Sequence, residues 1–150
     1  MNHNPYRRLL IMSVLSFIAM YIAMYAMVNT VGNIYNNLNK FYMAGLMTAP
    51  MVIIGILVMG PMYANKRLNM LILVGSLIAL LGFFLFIRQQ TAISDRQFLR
   101  AMIPHHSSAI LMCERAPVED QEIQELCQQI IENQQTEIDQ MKNILNRLGQ

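Results

Sequence analysis

Residues 68–87 read LNMLILVGSLIALLGFFLFI, a run without a charged side chain. As a helix, about 20 apolar residues reach across a bilayer hydrocarbon core of roughly 30 Å. Toward the N-terminus, residues 41–62 and 9–28 form two more such runs. Gly45, Pro50, Gly55, Gly60 and Pro61 interrupt the middle one, which membrane helices tolerate where neighbouring helices satisfy the freed backbone groups. A chain of 150 residues that is 55% hydrophobic and 13% charged cannot hide three such runs in a water-soluble core. The expectation is an all-α protein, with a membrane domain over residues 1–90 and transmembrane helices at 9–28, 41–62 and 68–87.

Arg7 and Arg8 before the first run resemble the opening of a signal peptide. The run is longer than the usual h-region, however, and no small-residue cleavage site follows it. Arg7, Arg8, Lys66 and Arg67 flank span ends and place those segments in the cytoplasm by the positive-inside rule. The asparagine-rich loop 29–40 and the tail after Ile87 then lie on the other side, periplasmic or extracellular, with the cell inner membrane as the expected site. Arg88, Arg96 and Arg100 pull against that orientation.

Charge divides the chain. No acid precedes Asp95; residues 1–94 carry six basic side chains and no acidic one (+6), residues 95–150 five basic and nine acidic (−4), which gives the net +2. The mild basicity is an average of two regions, and no basic patch interleaved with aromatics supports nucleic-acid binding.

Beyond the third run the apolar period becomes that of an amphipathic helix. Ser94 is a candidate N-cap with Asp95 in the first turn, and Pro117 forces a stop because the residue before proline avoids helical geometry. At about 100° per residue, Asp95, Phe98, Met102, His105, His106, Ala109 and Cys113 share one face, with Arg96, Arg100, Ser107 and Arg115 pointing the other way. A second helix begins near Glu119–Asp120 and stops at Gly149. Its stripe is Ile123, Cys127, Ile130, Ile131, Gln134, Glu137, Ile138, Met141, Leu145 and Leu148. Folding back at Pro117 brings Gln134 level with Met102 and Glu137 near Phe98, and sets Cys113 nearer Ile123 than Cys127. That register strains an intrachain disulfide and leaves free thiols or a bond between subunits open. Two helices bury their faces poorly alone, so a homodimer forming a four-helix bundle is expected.

Within this hairpin, Met102-x-x-His105 stands where di-iron bundles carry Glu-x-x-His. A thioether in place of a carboxylate moves the preference toward softer ions such as Cu(I). Met102, His105, His106, Met112 and Met141 are the candidate metal ligands, with Gln134 and Glu137 orienting the histidines. Pro104 removes a helical hydrogen bond and leaves the Arg100 carbonyl free. In the competing reading the histidines simply hydrogen-bond to Gln134 and Glu137 across the core.

The patterns D..F...MIPHHSSAILM at 95–112 and IIENQQTEIDQM at 130–141 resemble domain-of-unknown-function family 305 over residues 94–148. That resemblance implies a ferritin-like helical domain and copper-binding relatives of the CopM type. It marks Asp95, Met102, His105, His106, Gln134, Glu137 and Met141 as characteristic positions. Longer members look like two such hairpins in one chain, which again implies pairing of two copies here.

Met20, Met24 and Met27 share one helical face and Met43, Met47 and Met51 another, although methionine is also an ordinary lipid-compatible filler. No nucleophile–base pair, phosphate loop or paired catalytic carboxylates stand out, so an enzyme is not expected. The sequence thus suggests a membrane-anchored protein that sequesters copper or hands it to copper-handling partners outside the cytoplasm. Its rivals are an interaction module whose hairpin dimerises a membrane protein, and a small component of a metal transporter.

Overall fold

The computed structural model of the chain describes residues 4–149. The described residues form five α-helices and no strand: α1 Pro5–Ala23, α2 Leu38–Val58, α3 Lys66–Gln89, α4 Asp95–Arg115 and α5 Gln121–Arg147. They divide into two compact units, Met1–Ala23 with Asn39–Thr91, and Met24–Leu38 with Ala92–Gln150.

In the first unit, α1, α2 and α3 are each long and apolar enough to cross a membrane. Their outward faces stay bare: no residue of α3 is buried, and Leu71 and Ile78 are 70% and 65% exposed. Apolar surface on this scale is unfavourable in water and suits a lipid environment. What packing there is gathers at two levels. Leu9, Ile56 and Tyr63 form one cluster, where the Tyr6 hydroxyl donates to Asn69 Oδ1 at 2.8 Å. Gly45 supports the other, because a Cβ there would collide with the Phe83 ring, which stacks edge-on to Phe41 and Phe86.

Helix ends differ from the expected spans. α1 stops at Ala23 instead of running to Val28, so Met24 and Met27 leave the helical face they were expected to share with Met20. Residues 24–27 form turns, and the Tyr25 hydroxyl donates to the Tyr35 carbonyl at 2.8 Å. α2 ends at Val58 rather than Met62, and Gly60–Met62 is a 3-10 turn around Pro61. α3 runs past the predicted end at Ile87, and its stop uses Gln90 in the left-handed region with φ 50°.

The second unit is the helical hairpin plus the loop 24–38. Ser94 takes the N-cap position of α4 but makes no side-chain cap, whereas Asp120 caps α5 by accepting from the Ile123 N–H at 3.1 Å. Ala116 is extended ahead of Pro117, and Gly149 has φ 70°, the left-handed stop that glycine adopts freely. Leu99, Ile103, Ile110, Ile138 and Leu145 make the core, and Tyr35 of the loop packs on it. Each such aliphatic side chain contributes about 1.5–3 kcal/mol on burial.

Two expectations are corrected here. The buried face of α4 carries Leu99, Ile103, Ser107 and Ile110, about one residue's rotation from the face chosen by amphipathicity. Ser107, expected to point outward, is 0% exposed, while Phe98 and Met112 are 51% and 57% exposed. The cause is the loop 24–38, which covers a second side of α4. The register also differs. Glu137 meets His106, about two turns from Phe98, and Cys113 faces Cys127 rather than Ile123. Residues 116–120 are non-helical and carry the chain beyond the end of α4 before α5 starts. The first turns of α5 therefore overhang, leaving Ile123 and Leu126 46% and 53% exposed.

Candidate functional site

Pro104 lies inside α4 without ending it. Lacking an N–H, it cannot bond to the Arg100 carbonyl. That carbonyl accepts instead from Asn37 Nδ2 at 3.3 Å, and the Leu38 N–H donates to Gln97 Oε1 at 3.1 Å. On the next turn the Asn29 N–H donates to Ser107 Oγ at 2.9 Å and the Ser107 hydroxyl donates back to Asn29 Oδ1. Asn33 Nδ2 completes the set by donating to Asn29 Oδ1 at 3.0 Å. The asparagine-rich loop is thus a clamp on α4, with Asn33 and Asn37 buried. Its role was absent from the sequence expectation. The available signal was the density of short amides at 29, 33, 36, 37 and 39, residues suited to binding free backbone groups.

The clamped helix presents His106 toward α5. Nδ1 lies 2.9 Å from the Met102 carbonyl, one turn back, and Nε2 lies 2.7 Å from Glu137 Oε2. Both partners are acceptors, and each ring nitrogen faces one of them. The ring side chain is 12% exposed and the carboxylate 52%, so the pair sits at the rim of the seam with access from solvent.

The remaining predicted residues distribute around this pair. His105 is exposed, its ring centroid 5.9 Å from that of His106. Met102 is half-buried one turn before His106, and Gln134 and Met141 are half-buried on either side of Glu137, with Met141 against the core. Met112 and Asp95 are exposed, Asp95 in the first turn of α4. The structure therefore brings together His106 and Glu137, flanked by Met102, Gln134 and Met141. It does not bring in Met112 or Asp95. Glu137, expected to orient a histidine from behind, contacts the ring nitrogen that would face an ion. Among the described residues no group of three or more His, Cys, Asp or Glu side chains gathers.

Chemically, an Nδ1–H fixed on a backbone carbonyl is the arrangement that orients a metal-binding imidazole through its Nε2. Here Nε2 contacts a carboxylate oxygen directly, at the place an ion would take. One chain offers this nitrogen–oxygen pair with thioethers nearby, fewer than the four or so donors that most tight sites use.

Residues 87–145 match the family model described as Domain of unknown function (DUF305). The chain is also 35% identical over 141 residues to "Uncharacterized protein L153" of Acanthamoeba polyphaga mimivirus, a match covering 92% of this chain and 91% of the viral protein. No solved structure matches.

Proposed function

We propose, for a chain that belongs to one family with the mimivirus protein and carries a DUF305 domain, that it is a membrane-anchored metal-binding protein. Its cargo is a copper ion, held on the non-cytoplasmic side for sequestration or hand-over. The observation that carries this reading is His106, whose Nδ1 faces the Met102 carbonyl while Nε2 is directed at Glu137. Imidazole, carboxylate and the thioethers of Met102 and Met141 form a mixed donor set suited to copper. His105, exposed beside His106, would reach the ion by a rotamer change or from a second copy. Pairing two hairpins into a ferritin-like four-helix bundle would supply the missing donors. The loop 24–38 and the hairpin form one compact unit, which agrees with their lying on the same side of the membrane, as the positive-inside rule gives.

The test is anaerobic Cu(I) titration of the full chain in detergent against a competing chelator. His106→Gln is expected to weaken binding at least tenfold. Equal affinities for the wild type, His106→Gln and the triple variant Met102→Leu/His105→Gln/His106→Gln would remove copper from the account.

A second reading, an interaction module that dimerises the membrane part, draws on the exposed Phe98, Met112 and Leu126 of the hairpin. Under it, the same variants bind copper as weakly as the wild type, and Phe98→Asp converts dimer to monomer in multi-angle light scattering.

A further inference from the structure

Cys113 lies on the same side of α4 as His106, about two turns further toward the connector. Across the seam it faces Cys127, and both cysteines are free and half-buried. The two thiols line one cavity of about 390 Å³ with Val118, Gln124, Gln128 and Glu132. That lining is partly polar, so a small hydrophilic reagent can enter.

This end of the hairpin lacks what holds the other end. From Leu111 to Glu137 no residue is buried, since the core stops at Ile110 on α4 and resumes at Ile138 on α5. The connector 116–120 is non-helical and its neighbouring turns are open to solvent. Apolar packing thins toward this end, where half-buried Ile131 still reaches the core and lines the cavity beside the two thiols.

We propose that Cys113 and Cys127 are a reversible dithiol–disulfide pair that staples the connector end of the hairpin, with small-molecule disulfides of the glutathione type as oxidant. In the first step one cysteine thiolate attacks a sulfur of oxidised glutathione, forming a mixed disulfide and releasing one glutathione thiolate. The second cysteine thiolate then attacks the protein sulfur of that mixed disulfide, forming Cys113–Cys127 and releasing the second glutathione. Two protein thiols lose two electrons and two protons, and one disulfide is reduced to two thiols. The closed loop spans residues 113–127, so the bond removes conformational freedom from the segment where packing thins.

The experiment uses the full chain in detergent, equilibrated in buffers of reduced and oxidised glutathione, then acid-quenched, alkylated and analysed by intact mass and peptide mapping. The expected result is joint loss of both thiols, a fall of about 2 Da in mass, and a cross-linked peptide pair from one chain that dithiothreitol reverses. Cys113→Ser and Cys127→Ser should each stop at a glutathione adduct, and the oxidised wild type should melt higher than the reduced. Thiols that stay unreacted, a wild-type chain that accumulates glutathione adducts, or cross-links between chains on non-reducing gels would each overturn the proposal. His106→Gln should oxidise like the wild type, so failure of the copper reading leaves this one standing, and the converse holds.

Discussion

Asn37 Nδ2 donates to the Arg100 carbonyl at 3.3 Å, filling the acceptor that Pro104 withdraws from the hydrogen-bond ladder of α4. A proline inside a helix usually kinks or breaks it at a cost of about 3 kcal/mol or more. Here the orphaned carbonyl lies beneath the loop that precedes α2, and the loop supplies the replacement donor. The proline and the asparagine are separated in sequence by α2 and α3, yet they form one local solution.

A double-mutant cycle tests that coupling. Asn37→Ala should destabilise the hairpin by about 1 kcal/mol, because the part-buried Arg100 carbonyl loses this donor. In a Pro104→Ala background the residue at 104 regains its N–H and reaches the Arg100 carbonyl, so the same Asn37 change should cost less. Thermal unfolding followed by circular dichroism reads the difference, and additive effects would separate the two residues.

Ser107 and Ser108 give a paired contrast. Ser107 is fully buried and exchanges hydrogen bonds with Asn29, whereas Ser108 donates to its own helix at the Pro104 carbonyl, 2.8 Å away. Ser107→Ala should cost about 1–3 kcal/mol, since the Asn29 N–H loses its acceptor while Asn29 Oδ1 keeps Asn33. Ser108→Ala should stay within about 0.5 kcal/mol. Hydrogen exchange at the Asn29 amide, faster in the first variant only, locates the loss.

Glu137 separates a structural from a binding role for the His106 pair. The carboxylate is 52% exposed, so its contact with His106 contributes at most about 1 kcal/mol. Glu137→Gln should barely change the melting temperature while weakening Cu(I) binding severalfold, with Met112→Leu leaving both unchanged. A fall in stability with unchanged affinity would assign Glu137 to the fold alone.

Cys113 sets a pH dependence. Its hydrogen bond to Cys127, then burial, then the charge of the neighbouring thiolate push its pKa from 9.0 up to about 11. The folded state thus keeps a proton that the unfolded chain loses near pH 9. The associated stability is fully present below about pH 9 and lost as pH rises toward 11. Alkylation of Cys113 by iodoacetamide should be slow at pH 8 and climb steeply above pH 10. Cys127→Ala should shift that rise to lower pH, and an unshifted profile would remove Cys127 as the cause.

Gln90 and Ala92 hold φ of 50° and 58°, where a side chain costs about 1–2 kcal/mol. Ala92→Gly is expected to raise stability by about 0.5–1 kcal/mol, read as a higher urea midpoint with unchanged slope.

Much of this architecture was legible from local pattern. The three apolar runs gave three helices, and Pro117, Asp120 and Gly149 act as punctuation at their own positions. The α5 stripe from Cys127 to Leu145 was read correctly except at Glu137, since that helix has one partner surface and its period reports it. The family was readable from the histidine motif and its downstream partner pattern. What failed was α4, where the same period pointed to a face about one residue off.

The amino-acid order by itself determined the number of helices, the stops at Pro117 and Gly149 and which residues carry donor chemistry, because those depend on side chains within a few positions of one another. Which face of α4 is buried, and that His106 meets Glu137 while Cys113 meets Cys127, were decided only by tertiary structure. A loop remote in sequence covers part of that helix, and a non-helical connector sets how far α5 slides along it. Neither leaves a periodic trace in the segment it acts on.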